Sequence, residues 1–381
     1  MESPNRSYSP ELDQLRGAAA LLVFFYHSVH LGYDAAGHSG WATSSNPFYA
    51  LILEGHTGVS LFMVLSAFVL SRGTFGRVIS YRDFIRNRAL RILPLAIVII
   101  ALGIAGNKQV DFGRAASWFL LLGNTPGAGQ DPSVLVGSLW TATVEFQFYL
   151  IAPFLFALTA QRGILKFVLL VVLLFIFLRM TLLCAVLTDP AEGFRISYYT
   201  IAGRINQFMI GIAMAYLVDL GLIKFTRLRS LAALLVSLFA ILALFTALSR
   251  NGGIYAWRVR NAFLPELEGL LWAIFIFGYI GLKPLGRFGR PLMLLGQVSF
   301  SMYVLHYAIV RDWWVFLYPK TGLDLHSAAS IWGTTIILLV PVAIISTVSF
   351  LCIESPFLAM RRRYLTDPHV AHRDNANRSA A

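Results

Sequence analysis

Apolar runs long enough to cross a bilayer follow one another from residue 15 to residue 353, and this repetition constrains the fold more than any motif does. A run of about 17 or more mostly apolar residues, helical at ~1.5 Å per residue, matches the hydrocarbon thickness. Spans are therefore expected at 15–33, 50–71, 91–107, 139–160, 164–187, 198–220, 230–249, 262–282, 291–317 and 329–353. In lipid such runs satisfy their backbone only as helices, so the prediction is an all-α, polytopic membrane protein of about ten transmembrane helices. A composition 57% hydrophobic and 13% charged, with mean hydropathy +0.68, excludes an ordinary soluble core. The apolar piece from Ala115 to Gly123 is too short to cross alone and reads as re-entrant or interfacial.

A formal charge of +12 would point to nucleic acid in a soluble chain; here the cations report orientation instead. Arg72, Arg77, Arg82, Arg86, Arg88 and Arg91 crowd one inter-span segment, and Lys224, Arg227, Arg229, Arg287, Arg290 and Arg361 to Arg363 fall on the same side. That side is the cytoplasm, which puts both termini there and predicts a bacterial cytoplasmic (inner) membrane protein with no nucleic-acid partner. The two cysteines, Cys184 and Cys352, fall at opposite ends of their spans and imply neither a disulfide nor a metal site. The first apolar run is longer than a signal core and reads as an uncleaved helix. Residues 1–363 form a single integral-membrane domain in this reading, followed by a short polar cytoplasmic tail, 364–381.

Within the first span lie two ionisable residues, Arg16 and His27, eleven positions apart. At ~100° and ~1.5 Å per residue they share one helix face, ~16 Å apart along the axis, with Asp13 one turn below Arg16. Ionisable groups at membrane depth point to a site by default, and an imidazole there can accept a proton from a hydroxyl. The bland alternative has Arg16 snorkelling to the interface and His27 bonded to a neighbouring helix. His30 lies three residues on, but no further ligand sits at metal spacing. Arg88 and Arg91, at i and i+3 before an apolar run, can point together at a phosphate-bearing cytosolic ligand. Glu145, inside SLWTATVEFQFYLIAP, needs a partner, with His27 as one candidate and a bridge to Arg179 or Arg204 as the competing reading. Ser60 and Ser66 lie in GVSLFMVLSAFVLSR, where small residues signal close packing. Tyr303 and His306 fall in the ninth span, His306 reading as a hydrogen-bonded packing histidine.

These segments, in this order, resemble the acyltransferase-3 family of integral-membrane acyltransferases. LDQLRGAAALLVFFYH resembles the opening LDGLRAxAAxxVxxxH, GVSLFMVLSAFVL the segment GVxLFFVLSGF, FIRNRALRILP the basic R-x-x-R block, and SLWTATVEFQFYLIAP the segment LWSLSVEEQFYLxxP. FSMYVLH and ESP resemble weaker C-terminal blocks. The resemblance implies His27 as the catalytic histidine, Arg16 as its essential arginine, Arg88 and Arg91 as the arginine pair of the cofactor end, and Glu145 as a catalytic carboxylate. Asp13, Ser66, Tyr303 and His306 would support them. The chain departs from the pattern at Ser60, Ala67, Phe146 and Leu305, where many members carry Asp, Gly, Glu and Trp.

The implied donor is acetyl-CoA or another acyl-CoA, without a metal, and the implied acceptor is a carbohydrate or glycolipid across the bilayer. The expected reaction is O-acylation, chiefly O-acetylation, of an envelope or exported polysaccharide. His27 would act as general base with Glu145 orienting it, or would carry the acyl group as an acyl-histidine. A small glycoside or macrolide is the alternative acceptor. A transporter or flippase is the rival class, opposed by the lack of an obvious inverted repeat. Self-association and polysaccharide-biosynthesis proteins are the protein partners left open.

Overall fold

The computed structural model describes residues 4–5, 8–38, 40–106, 112–124, 137–159, 176, 190–254 and 263–366. Helices dominate throughout. In chain order they are α1 (Pro10–Ala35), α2 (Pro47–Leu53), α3 (Gly58–Ser71), α4 (Tyr81–Ala105), α5 (Phe112–Phe119), α6 (Trp140–Thr159), α7 (Pro190–Tyr199), α8 (Ile201–Asp219), α9 (Arg227–Arg250), α10 (Leu264–Leu282), α11 (Arg290–Gln297), α12 (Ser299–Asp312), α13 (Tyr318–Thr321), α14 (Ala328–Ser349) and α15 (Ser355–Ala359). A two-residue antiparallel pair, β1 (Val78–Ile79) with β2 (Leu365–Thr366), joins the head of α4 to the C-terminal segment.

Among the described residues five helical stretches are long and apolar enough to cross a membrane, and seven are if two bent pairs each count as one span. The expected span 50–71 is one of these pairs, turning 65° between α2 and α3. The turn contains Gly55 and Gly58, where a Cβ would lie 2.2 Å from the Leu22 carbonyl oxygen and 2.5 Å from that of Ala19, so the chain bends where it presses against α1. The expected span 291–317 is the other, turning 69° at the α11–α12 junction. The basic segment before 91 is not a loop. Ser80 caps α4 by accepting from the Asp83 amide, and helix-favouring Arg, Ala and Leu carry the helix from Tyr81 through Arg91. The span expected at 164–187 lies outside the described residues.

α3 is the hub, with 11 of its 14 residues buried, and it packs on α1, α8 and α10. By contrast, only 22% of the apolar window of α9 and 17% of that in the continuous helix 328–359 is buried. Phe239, Ile337 and Ile344 point outward from them, as a lipid-facing surface requires. α1 meets α11 backbone to backbone at Gly17 and Gly296; a Cβ on Gly296 would stand 1.8 Å from the Asp13 carbonyl oxygen. This contact brings Asp13 and Arg16 beside Gln297 and Ser299. Tyr364 and Leu365, expected in the polar tail, are buried, so the packed chain continues to Thr366.

Candidate active site

A cavity of about 240 Å³ runs between α1, α3, α4, α6 and α12. It follows α3 from Val59 to Leu70, eleven positions further on, or ~16 Å of helix. Asp13, Arg16, Arg88, Arg91 and Arg361 line one end, Ser66, Glu145 and Tyr149 the middle, and Val59, Phe62, Thr141 and Tyr303 the other. The arginines expected at the cofactor end therefore share one space with Asp13 and with Glu145, which was expected beside His27.

At the basic end Arg16 pairs with Asp13 at 2.6 Å, and Arg91 with the buried Glu354 at 3.0 Å. Glu354 also accepts from Ser301. Arg88 lies over the rings of Phe84 and Tyr149, at 5.7 and 5.6 Å, and its Nε is buried without a hydrogen-bond partner. An anion entering here would find donors already oriented, and an unmet buried N–H favours one. Glu145 accepts from Ser66 Oγ at 2.6 Å and from the Tyr149 hydroxyl.

His27 and His306 stand beyond the Tyr303 end and do not line the cavity. His27 is half-buried on α1, and its Nδ1 lies 2.9 Å from Nε2 of the buried His306. His306 Nδ1 lies 2.7 Å from the Tyr303 carbonyl oxygen and 3.1 Å from that of Met302. Carbonyls only accept, so His306 Nδ1 carries the proton and its Nε2 is the acceptor. His27 Nδ1–H must then donate, which leaves the lone pair on His27 Nε2. The expected pairing of His27 with Glu145 is not made, because Ser66 and Tyr149 hold Glu145 partway along the cavity while α12 brings His306 against α1. His30 bonds the Leu53 carbonyl at 2.9 Å and stacks on Trp41. Among the described residues no group of three His, Cys, Asp or Glu is arranged to hold a metal.

A family model described as "Acyltransferase domain" matches residues 9–353. The chain belongs to the acyltransferase-3 family. Within it, this chain is 26% identical over 336 residues to the putative peptidoglycan O-acetyltransferase YrhL of Bacillus subtilis, which covers 81% of the chain and 50% of that protein. It is 25% identical over 337 residues to the peptidoglycan O-acetyltransferase OatA of Listeria monocytogenes, covering 80% and 50%. A putative acetyltransferase of the Acidianus two-tailed virus is 24% identical over 311 residues, covering 79% and 83%. The chain spans about half the length of the two bacterial relatives. No solved structure matches it.

On the other side of α3 this family member has a polar cluster of which sequence reasoning named Ser60 and Arg204 but not Gln207 or Glu268. Ser60 donates to Glu268 and accepts from Gln207 at 2.9 Å and Arg204 at 3.3 Å. Arg204 stacks on Tyr198 at 4.3 Å and faces Glu268 at 3.8 Å rather than Glu145. Glu268 thus supplies a carboxylate beside Ser60. An intramembrane glutamate in LPELEGLLW was the available signal for it. Tyr149 and Arg361 were also missed as cavity residues, Arg361 because it had read only as a topology-setting cation.

Proposed function

We propose that this protein is a membrane O-acyltransferase that takes an acetyl group from acetyl-CoA at the cytoplasmic face and delivers it to a carbohydrate hydroxyl on the opposite side. Ten spans with both termini cytoplasmic, in a bacterial inner membrane, give the topology this requires. The observation that carries the reading is the pairing of an arginine-lined cavity with a histidine whose Nε2 lone pair is free, ~16 Å further along α1. Two relatives are named for peptidoglycan O-acetylation, and a glycan of the cell envelope is the acceptor we favour.

The residues at the basic end fit an acyl-CoA. Arg88 and Arg91 are placed to bind phosphate, the first with an unmet buried donor. When bound, acyl-CoA supplies a thioester activated for transfer and a thiol leaving group. His27 Nε2 takes the proton of the acceptor hydroxyl as its oxygen attacks the acyl carbonyl. His306 accepts from His27 Nδ1–H throughout and supports the imidazolium that forms, the role a carboxylate has in a serine hydrolase. His27 then returns the proton to the departing sulfur, so transfer is proton-neutral. Tyr303 stands between the cavity and the histidines and must yield for the thioester to reach His27.

The test is incorporation of labelled acetyl from acetyl-CoA into alkali-labile esters of the envelope glycan fraction. His27→Ala at wild-type protein level is expected to abolish it. Incorporation that persists in His27→Ala would refute this assignment of the base.

A further inference from the structure

We infer that Arg361 is the third member of a phosphate clamp with Arg88 and Arg91, and that this clamp makes the enzyme select full CoA thioesters over pantetheine thioesters. The inference rests on the donor proposed above. Arg361 lies beyond the last apolar helix, yet it faces the cavity that Arg88 and Arg91 line. The chain around it is pinned to the head of α4. Arg86 donates to the Met360 carbonyl at 2.9 Å, and Asn87 brackets Arg362, donating to its carbonyl at 2.7 Å and accepting from its amide at 2.9 Å. Tyr364 packs edge-on against Phe84, its carbonyl accepts from the Ser80 amide at 2.9 Å, and β2 pairs with β1. Arg361 Nε donates to the Leu358 carbonyl at 2.9 Å, which orients the guanidinium and leaves its terminal nitrogens for a ligand. A flexible tail does not fix a cation in this way.

Charge supplies the second argument. Asp13 neutralises Arg16 and Glu354 neutralises Arg91, but among the described residues neither Arg88 nor Arg361 has a carboxylate at ion-pair distance. Burial, and then the Arg88 and Arg91 guanidiniums, push Arg361 down to about 10. Two uncompensated cations held together are unfavourable until an anion arrives, and a doubly charged phosphate monoester satisfies both. CoA carries such a group at its ribose 3′ position in addition to its diphosphate; dephospho-CoA lacks the monoester, and pantetheine lacks all three phosphates.

Calorimetry would compare acetyl-CoA, acetyl-dephospho-CoA and S-acetylpantetheine on the full-length detergent-purified protein, wild type and Arg361→Ala. We expect Arg361→Ala to weaken acetyl-CoA binding at least tenfold, to weaken acetyl-dephospho-CoA binding much less, and to weaken S-acetylpantetheine binding least of the three. Should Arg361→Ala not fold, Arg361→Gln carries the same test. Wild-type affinity in the variant, or an equal loss for all three donors, overturns the clamp. A wild-type protein that does not bind acetyl-CoA overturns the donor itself and the clamp with it, so the two failures are separable.

Discussion

Replacing His306 by Leu removes the acceptor of the His27 Nδ1–H while leaving Arg16, Arg88, Arg91 and the cavity untouched. In the ground state the lost bond is between neutral partners, worth about 1 kcal/mol. As His27 takes the acceptor's proton it becomes a cation, and a hydrogen bond from a charged donor is worth ~1.5–3 kcal/mol. The barrier rises by the difference, ~0.5–2 kcal/mol, so at ~1.36 kcal/mol per factor of ten the rate of transfer should fall about 2- to 30-fold. The neutral ring also becomes free to move its proton to Nε2, which removes the base from part of the population. His306→Gln has an amide oxygen near the position of the imidazole Nε2 and should recover much of the loss. The assay is the initial rate of acetyl transfer with both substrates varied; kcat should fall while the KM for acetyl-CoA holds. A folded His306→Leu protein with wild-type kcat, or a loss confined to KM, would refute the tautomer argument drawn from the 2.9 and 2.7 Å contacts.

Glu145→Gln keeps a carbonyl oxygen for Ser66 and Tyr149, so it should reduce kcat less than His306→Leu; the opposite order would mean that Glu145 acts on His27 after all. Tyr303→Ala opens the far wall of the cavity. Since a methylene in an apolar pocket is worth about 1–3 kcal/mol, the butyryl-to-acetyl ratio of kcat/KM should rise about tenfold or more, and an unchanged ratio would show that Tyr303 is not the wall. Gly296→Ala puts a Cβ 1.8 Å from the Asp13 carbonyl oxygen, and overpacking of this kind costs about 1–3 kcal/mol or more. A lowered Tm together with weakened acetyl-CoA binding is expected, and a variant matching wild type in both would show that α1 and α11 do not approach this closely.

Much of the candidate site was legible because its residues violate the rule that spans are apolar. Arg16, His27 and Glu145 stood out as ionisable groups in apolar runs, and the register of Arg16 and His27 on one face of an unbroken helix follows from 3.6 residues per turn. Partner choice was not legible in the same way, because it depends on where other helices bend. Nothing in the periodicity of 291–317 shows a 69° turn at Val298, and that turn decides which face of α12 meets α1. Glu54, Gly55, His56, Thr57 and Gly58 likewise read as part of one span, since local composition does not reveal that the glycines are there for contact with α1. Arg361 was hidden because positive-inside topology already explained it, although a cation can both set orientation and line a cavity.

The bends matter to the chemistry because α1 works as a ruler. It is continuous from Pro10 to Ala35, so the separation between its arginine and its histidine is fixed by helical rise and cannot adapt to the ligand. The other helices must bring their groups to its two ends. α11 meets α1 near Asp13 through Gly17 and Gly296, and after the turn α12 runs along α1 so that Phe300 covers Arg91, Tyr303 closes the cavity and His306 reaches His27. The 69° turn separates the direction of α11 from that of α12, the helix that carries His306 to His27. In the proposed chemistry the Val298 turn therefore positions His306, although Val298 does not itself line the cavity. Changes that straighten it should uncouple the histidines, with kcat falling while acetyl-CoA binding at the arginine end survives.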